Sequence, residues 1–522
     1  PDGARSRLRA SWAEAFHREV YPLLLELEDP FADLYGSEGR PNWSVARMVG
    51  ILLLQELENL TDQVALDHLS FDLRWHLALE LHPGNAYLSR RSLVEFRSRL
   101  VEKDPEGRRL REVFDRIVAA ASRALGVSHA QQRLDSTHIV SNIHTRGRRD
   151  LFASTLRVFV RVVEQQFAAD LARLPASLRA WAETDEDGEF GGTETEGRAD
   201  LAELAAWLVA ARDAFPEGHP VRGTEAWALV ARLIGEQIVV LPAGGESAPD
   251  GSPVAPVVTV HKPTSPGSAL QSPHDPDAGY GHKGCGYETQ IVETCNNTDT
   301  IELITDFDVH GSGTSDQGQA GKALDRLAER GATPDTLFVD SGYVSMDALA
   351  DAEARGVDLH GPVNPGPLPN EVVGRDAWIR DPETGLLAVC PTGNPVERHA
   401  PRTNPNGEVT RHAFIAGMRC RDCPLSGVCL ARPPNNGKSG SWHIEDNPLL
   451  NLRDQRLATQ KSLPWRRRYR VRAGIESTNS ELKRKHGLGR LRVRRAARVR
   501  LAVTMKLTAC NVKRWLRAGR GR

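Results

Sequence analysis

Four short β-type runs are scattered between residues 133 and 343, and any fold of this chain has to bring them together. They are RLDSTHIV (Arg133 to Val140), YETQIVET (Tyr287 to Thr294), TIELITDFDV (Thr300 to Val309) and TLFVDSGY (Thr336 to Tyr343). Each is rich in β-branched or aromatic residues, and turn-forming residues such as CNNTD separate the second from the third. A helix-type stretch, Asp316 to Arg330, stops at Gly331 just before the fourth run. Strands, a helix, a buried-type strand and a late helix predict an α/β unit built on a mixed sheet with flanking helices. Two long segments interrupt it, at about 145 to 275 and 371 to 455. The first is Ala/Leu-rich and helical from roughly 150 to 235, then rich in Pro, Gly, Ser and Asp from 242 to 280. The second is turn-rich from 371 to 445 and carries four cysteines.

Residues 1 to about 125 read as helices. Asn42 or Ser44 is placed to cap VARMVGILLLQEL, with Pro41 before it, and Thr61 to cap DQVALDHL. Ser89 precedes a helix to Glu102 with an apolar stripe at Leu93, Phe96 and Leu100, and Arg90, Arg91, Arg97 and Arg99 lie off that stripe. Short helices closing on an Arg-bearing helix suit helix-turn-helix DNA binding, and equally suit an all-α domain with solvated arginines.

The net charge of −1 hides a strong asymmetry. From Lys461 to Arg522 there are 21 Lys and Arg against two acids, whereas residues 181 to 218 hold eleven acids against two arginines. A basic end implies a polyanionic partner there. A basic disordered tail is the alternative, but Ile475, Leu482, Leu488, Leu491, Val493, Val499, Leu501 and Val503 recur through it and favour a folded nucleic-acid-binding segment. The longest apolar run, Met48 to Leu54, is far short of a membrane span. No apolar leader follows the first residues, and seven cysteines, an odd number, suit a reducing compartment, so a cytoplasmic, nucleoid-associated location is expected.

One of the two acids in the basic end is Glu476, in YRVRAGIESTNSELK. If this stretch is helical throughout, Tyr469, Arg472, Glu476 and Lys483 fall within about 60° of arc on one face. Gly474 is a potential break, and a solvated charged face is the plain alternative. Asp135 lies within the first strand and Asp340 at the end of the fourth, so carboxylates of separate strands can converge with Glu476. Three carboxylates around one point repel unless a divalent cation lies among them, and Mg²⁺ suits an all-oxygen set that keeps waters and a phosphate. Two such ions clamp the attacking and leaving oxygens of an in-line phosphoryl transfer.

The spacing Tyr469, two residues, Arg472, three residues, Glu476, six residues, Lys483 resembles the YREK signature of bacterial insertion-sequence DDE transposases. Asp340-Ser341-Gly342-Tyr343 resembles the surroundings of that family's second aspartate, and Asp135-Ser136-Thr137 those of its first. The stretch from Arg40 to Leu100 and SPHDPDAGYGHKGCGYETQIVET (Ser272 to Thr294) resemble the insertion-sequence-1182 type. The resemblance implies a ribonuclease H-like catalytic core in which Asp135, Asp340 and Glu476 hold two Mg²⁺ or Mn²⁺ ions. It implies cleavage at the ends of a DNA element and transfer of the freed 3′-OH strand to target DNA. Arg472 and Lys483 then contact phosphates and Tyr469 contacts a DNA end, with a homodimer assembled on double-stranded DNA. Arg484, Lys485, Arg490, Arg492 and Arg494 extend the phosphate-tracking surface. The 204 residues between Asp135 and Asp340 exceed what the simplest family members carry.

On this reading residues 1–125 form the helical DNA-binding domain, and 126–145, 275–370 and 456–515 the catalytic core. Residues 146–274 are a helical, acidic and loop insertion, and 371–455 a cysteine-bearing one. Cys390, Cys420, Cys423 and Cys429 suit a structural Zn²⁺, with His399 or His412 able to replace a thiol; reduced cysteines packed as small apolar groups are the alternative. Cys285, Cys295 and Cys510 are unrelated to that set. Asp275 and Asp277 fit a loop turn, and His138 and His282 lie near the presumed site. Two rival functions remain: a ribonuclease H-like nuclease or resolvase that cuts without joining, and a transposase-derived DNA-binding protein without catalysis.

Overall fold

The computed structural model describes residues 2–35, 42–143, 147–183, 200–241, 257–364, 373–403, 407, 409–434 and 440–519. Pro41, the middle of the acidic cluster (184–199) and the first part of the Pro/Gly-rich loop (242–256) lie outside them.

The four β-type runs meet in one six-stranded mixed sheet, joined by two further short strands. Five of its strands are β1 (Gln131–Val140), β2 (Gly284–Thr294), β3 (Ile304–Gly311), β4 (Thr336–Phe338) and β5 (Asp358–His360), and the sixth, Gly279–Gly281, pairs antiparallel with the start of β2. The spatial order is β3-β2-β1-β4-β5; β1, β2 and β3 run antiparallel in turn, and β4 and β5 run parallel to β1. The expected Thr300–Val309 run is strand only from Ile304 onward. Before it, side chains replace the ladder: the Leu303 amide donates to Thr294 Oγ1 and the Ile304 amide to Asn511 Oδ1. β2 starts earlier than expected, at Gly284. There a side chain at Gly286 would place its Cβ 2.1 Å from the Ile139 carbonyl oxygen, so only glycine lets β2 close against β1.

Both faces of the sheet are covered. On one, Ile139, Tyr287, Ile291 and Phe307 pack with Phe114 of the helix Arg108–Leu125 and with Val499, Val503 and Leu507 of the helix Ala496–Ala518. On the other, Leu134, Val292, Leu337 and Leu359 pack against the helices Gln319–Glu329 and Met346–Ala354. The first of these is shorter than the expected Asp316–Arg330, starting after Gly318 at φ 81° and ending before Gly331 at φ 64°.

The N-terminal part is all-helical, as expected. Ser44, not Asn42, caps Val45–Glu58, with its hydroxyl accepting the Arg47 amide, and Thr61 and Ser89 cap the next two expected helices. Leu93, Phe96 and Leu100 are buried. Arg97 is not a free cation: it pairs with Asp62 at 2.8 Å and also binds Gln55. The final helix is no loose tail, because Met505, Val512, Trp515 and Leu516 complete the N-terminal core.

The first insertion folds on its own core. The helices Arg148–Gln166, Leu201–Asp213 and Glu225–Gln237 enclose Phe152, Phe159, Leu208, Phe215 and Leu233, closed by a hairpin pairing Ile238–Leu241 with Val257–Val260. The second insertion is more ordered than a turn-rich reading implies. It contains a three-stranded antiparallel sheet of Arg398–Thr403, Val409–Ile415 and Trp442–Glu445. Its buried residues are few, with none in Arg398–Thr403, so short windows of sequence carry little strand signal.

Candidate active site

Backbone register brings the two aspartates together. In the parallel β1–β4 pair Arg133 faces Phe338, so continuing two residues along each strand sets Asp135 beside Asp340. Asp340 lies just past the end of β4, where its Oδ1 accepts the Gly342 amide at 2.8 Å. The third carboxylate arrives on the helix Ile475–Lys485, whose first turn carries Glu476 and whose N-terminal amides favour a negative charge there.

The basic segment is helical but not uniformly so. An α-helix, Leu463–Tyr469, passes into a 3-10 turn, Arg470–Gly474, and then into Ile475–Lys485. The tighter turn rotates Tyr469 away from the position that a continuous α-helix would give it. Gly474 sits where Arg133 crosses beneath: an added Cβ would lie 2.0 Å from Arg133 Nη1, which donates to the Val471 carbonyl at 3.0 Å. Glycine is there for close approach.

Arg472 lies among all three carboxylates. Its Nη2 is 2.7 Å from Asp135 and 3.4 Å from Asp340, and its Nη1 is 3.2 Å from Glu476. Asn479 donates to the other Asp135 oxygen at 3.2 Å. Burial raises Asp135 to about 6; Arg472 opposes that shift, and the charges of Glu476 and Asp340 add to it. Arg472 itself is held above its usual value: burial disfavours its charge, but Asp135 and the other acids outweigh that. One guanidinium therefore does not fully compensate the cluster. Among the described residues no group of three His, Cys, Asp or Glu is arranged to hold a metal ion. The donor chemistry nonetheless fits a hard divalent cation: the set is all oxygen, and Asp135 is under-neutralised where it stands.

Residues beneath the site were not recognisable from sequence. Arg133 and Glu293 stand directly opposite in the β1–β2 register and form a buried ion pair at 2.6 Å. Glu293 also accepts from Thr478 on the Glu476 helix and from Arg514 on the last helix, the latter at 2.7 Å. This network ties the helix bearing Glu476 to the strand bearing Asp135. Arg133 adjoins Asp135 in the sequence, but its partners are 160 and 338 residues away. Gln290 was equally silent. It accepts the buried Tyr343 hydroxyl and donates to Asp316 at 3.1 Å, so the tyrosine of DSGY is an anchor in the core.

The other expected residues separate into groups. Tyr469 is half-buried, stacked on Trp465 with centroids 5.0 Å apart, and Trp465 stacks on His360 at 4.7 Å. Lys483 lies close enough to Glu476 and Asp135 to feel their charge; partial burial and then Lys283 hold its pKa below the usual lysine value. His138 donates to or accepts from Ser312 at 2.9 Å, and burial followed by Lys283 lowers its pKa. Arg484, Lys485, Arg490, Arg492 and Arg494 are exposed, while Leu482, Leu488 and Leu491 between them are buried. The alternation of cations with apolar residues is thus a folded surface. Arg494 also donates to the Asn142 carbonyl at 2.8 Å, and Lys485 pairs with Glu481 at 3.5 Å. Asp275 and Asp277 are more than turn residues. Buried Asp275 accepts from Ser141, Tyr287 and the Arg495 amide, and Asp277 accepts the Ala496 amide at the start of the last helix.

Cys390, Cys420, Cys423 and Cys429 all line one cavity of about 20 Å³, together with Trp378 and Trp442. Burial and then the neighbouring Cys390, Cys429 and Cys423 push the Cys420 thiol up to about 11. Neither His399, which lies 3.3 Å from Asp446, nor His412, bonded to Thr410 at 3.0 Å, lines that cavity. Cys285, Cys295 and Cys510 are free and buried elsewhere.

Two family comparisons bear on these observations. Residues 389–516 match the Transposase DDE domain family, a span that includes the cysteine module, Arg472, Glu476, Lys483 and the final helix. Residues 13–99 match the family described as Transposase domain (DUF772), which covers the N-terminal helices up to the Arg97 helix. No curated protein and no solved structure matches the chain. Among the described residues no helix is long and apolar enough to cross a membrane.

Proposed function

We propose that this chain, which matches a transposase DDE domain and a second transposase domain, is an insertion-sequence DDE transposase that cleaves the ends of a DNA element and joins the freed 3′-OH strand to target DNA. The observation that carries the reading is the meeting of Asp135, Asp340 and Glu476, from two strands and a distant helix, around Arg472. The sheet order, with three antiparallel strands continued by two strands parallel to β1, supports a ribonuclease H-like core. The core comprises residues 126–145, 275–370 and 456–515, with the helical domain of 1–125 beside it.

Asp135, Asp340 and Glu476 would hold two Mg²⁺ or Mn²⁺ ions. When bound, the ions supply Lewis-acid chemistry: a water made acidic enough to attack at neutral pH, and charge to balance the phosphate. The rest of the work belongs to the chain. Arg472 and Lys483 offer positive charge beside the carboxylates, where a phosphodiester has to lie for in-line attack. Asn479 keeps the Asp135 carboxylate oriented through one oxygen, while Arg472 holds the other at 2.7 Å. The stacked Tyr469 and Trp465 make a rigid wall for a DNA end. Arg484, Lys485, Arg490, Arg492 and Arg494 track the backbone away from the site and supply affinity without reading bases. A homodimer on the DNA would engage both ends of the element. In the second insertion, four thiols around one small cavity support a structural zinc site of Cys390, Cys420, Cys423 and Cys429.

The test is purified protein with labelled terminal-repeat DNA and Mg²⁺ or Mn²⁺. Joined products are expected. Cleavage without joining would reduce the reading to a nuclease, and binding with neither would reduce it to a DNA-binding protein.

A further inference from the structure

Arg472 occupies the place where the triad would be needed. Among the described residues it is the one cation that forms ion pairs with Asp135, Asp340 and Glu476, at 2.7, 3.4 and 3.2 Å. A divalent cation bound by the same oxygens would stand within a few ångströms of the guanidinium, and like charges at that range repel strongly. Both cannot hold the triad in this arrangement. Arg472 is also incompletely satisfied where it lies: its Nε is buried with no hydrogen-bond partner. A buried donor without an acceptor costs free energy, so another partner set can compete for this side chain. Arg472 lies near the surface: its side chain is 16% exposed, and Arg470 and Ala473 of the same 3-10 turn, Arg470–Gly474, are exposed. A phosphate oxygen offers a guanidinium the same fork geometry as a carboxylate.

We infer that Arg472 is an exchangeable counter-ion. It neutralises the triad in the chain free of metal and DNA, competes with divalent cations for those oxygens, and moves to a DNA phosphate when the cations bind. Metal and DNA therefore raise each other's affinity, and the coupling is reciprocal because both draw on one equilibrium. The inference rests on the reading of Asp135, Asp340 and Glu476 as a metal site. It adds that the Arg of the motif regulates loading of that site, besides contacting DNA.

The experiment measures Mn²⁺ binding to the full chain without DNA, by the spectroscopic signal of free Mn²⁺, for the parent protein, Arg472→Gln and Asp135→Asn. Arg472→Gln should bind Mn²⁺ about tenfold more tightly than the parent, within the usual range of coupling between sites. Unchanged or weaker binding overturns the inference. Asp135→Asn should lose the binding; if it binds as the parent does, the metal-site reading itself fails and takes the inference with it. In a second arm, a short duplex of arbitrary sequence is titrated at constant ionic strength. Added Mn²⁺ should raise the parent's affinity several-fold more than that of Arg472→Gln. An equal rise in both proteins overturns the coupling. Should Arg472→Gln fail to fold by circular dichroism, Arg472→Lys replaces it. An ammonium is a point charge without the guanidinium's fork and spans the carboxylates less well, so Mn²⁺ binding should still tighten, and its failure to do so overturns the inference.

Discussion

The cost of assembling the triad can be measured by removing one member of it. Burial, aided by Glu476 and Asp340, raises the Asp135 carboxyl from 3.8 to about 6 even with Arg472 beside it. A carboxyl raised in the folded state binds its proton more tightly there than in the unfolded chain. Stability therefore falls as pH climbs from about 4 to about 6, and the full cost is present above that. At 1.36 kcal/mol for each unit, the cost near pH 7 is about 3 kcal/mol. Asparagine is close in shape to the protonated acid, so Asp135→Asn should recover most of it and stabilise the metal-free core by about 2 kcal/mol. Because the chain holds several cores, the readout should be local: hydrogen exchange of the β1 amides in chelator. The gap between variant and parent should narrow as pH is lowered through 6 towards 4. Adding Mg²⁺ should reverse the order, since only the parent gains binding energy in its folded state. An Asp135→Asn core that is no more stable than the parent at pH 7, or a gap independent of pH, refutes the reasoning.

Four further outcomes can be checked. Glu476→Gln should abolish cleavage of terminal-repeat DNA and leave DNA binding nearly intact; equal loss of both in a gel-shift and cleavage pair argues against its catalytic role. Lys483→Ala should weaken DNA binding and flatten its salt dependence by about one unit of slope or less, and an unchanged slope would leave Lys483 a solvated charge. Asp306 is fully buried and paired with Arg111, Arg326 and Arg330, the last two at 2.8 and 2.7 Å. Asp306→Ala removes the buried acid shared by three guanidiniums where the N-terminal helix Arg108–Leu125 meets the sheet, leaving Arg111 and Arg330 with Asp115 and Arg326 with Asp308, and should cost about 3–5 kcal/mol in urea unfolding; a loss under about 1 kcal/mol contradicts that role. Freshly purified, reduced protein should contain zinc by metal analysis, and Cys420→Ser should lose it; a metal-free parent retires the zinc site.

What the sequence disclosed follows the range of the forces involved. Strand runs, helix caps at Ser44, Thr61 and Ser89, and the segregation of Leu488 and Leu491 from Arg490 and Arg492 are local. They depend on spacing and side-chain type, and all appear in the structure. Asp135, Asp340 and Glu476 stood out as acids in the wrong surroundings, two at or near strand ends and one in a cationic field. Arg133, Glu293, Asn479, Arg514 and Asp275 gave no such signal. Each looks like an ordinary surface residue until the chain closes, and each has a partner more than a hundred residues away. The 3-10 turn at Arg470–Gly474 was hidden for the same reason: it accommodates Arg133, a contact from the far end of the chain.

The same geometry explains how the core tolerates so long an insertion between its first two strands. β1 ends at Val140 and β2 begins at Gly284, and Val140 is paired with Gly286 across the antiparallel ladder. The insertion therefore leaves and re-enters at one spot, as a hairpin loop would. Closing such a loop costs free energy only with the logarithm of its length, about 0.6 kcal/mol for each doubling. The described part of the insertion buries Phe152, Phe159, Leu208 and Phe215 in a core of its own and so offsets its own ordering. The alignment of the carboxylates is set by elements outside it. Asp135 and Asp340 are aligned by the β1–β4 pairing, which the insertion does not interrupt, and Glu476 is held to β1 through Arg133, Glu293 and Thr478. Replacing residues 146–274 by a short linker, with Ser141, Asp275 and Asp277 kept, should leave the Arg472 ion pairs and the Mn²⁺ affinity of the core in place. Loss of Mn²⁺ binding in such a variant that still folds would mean that the insertion helps to set the triad.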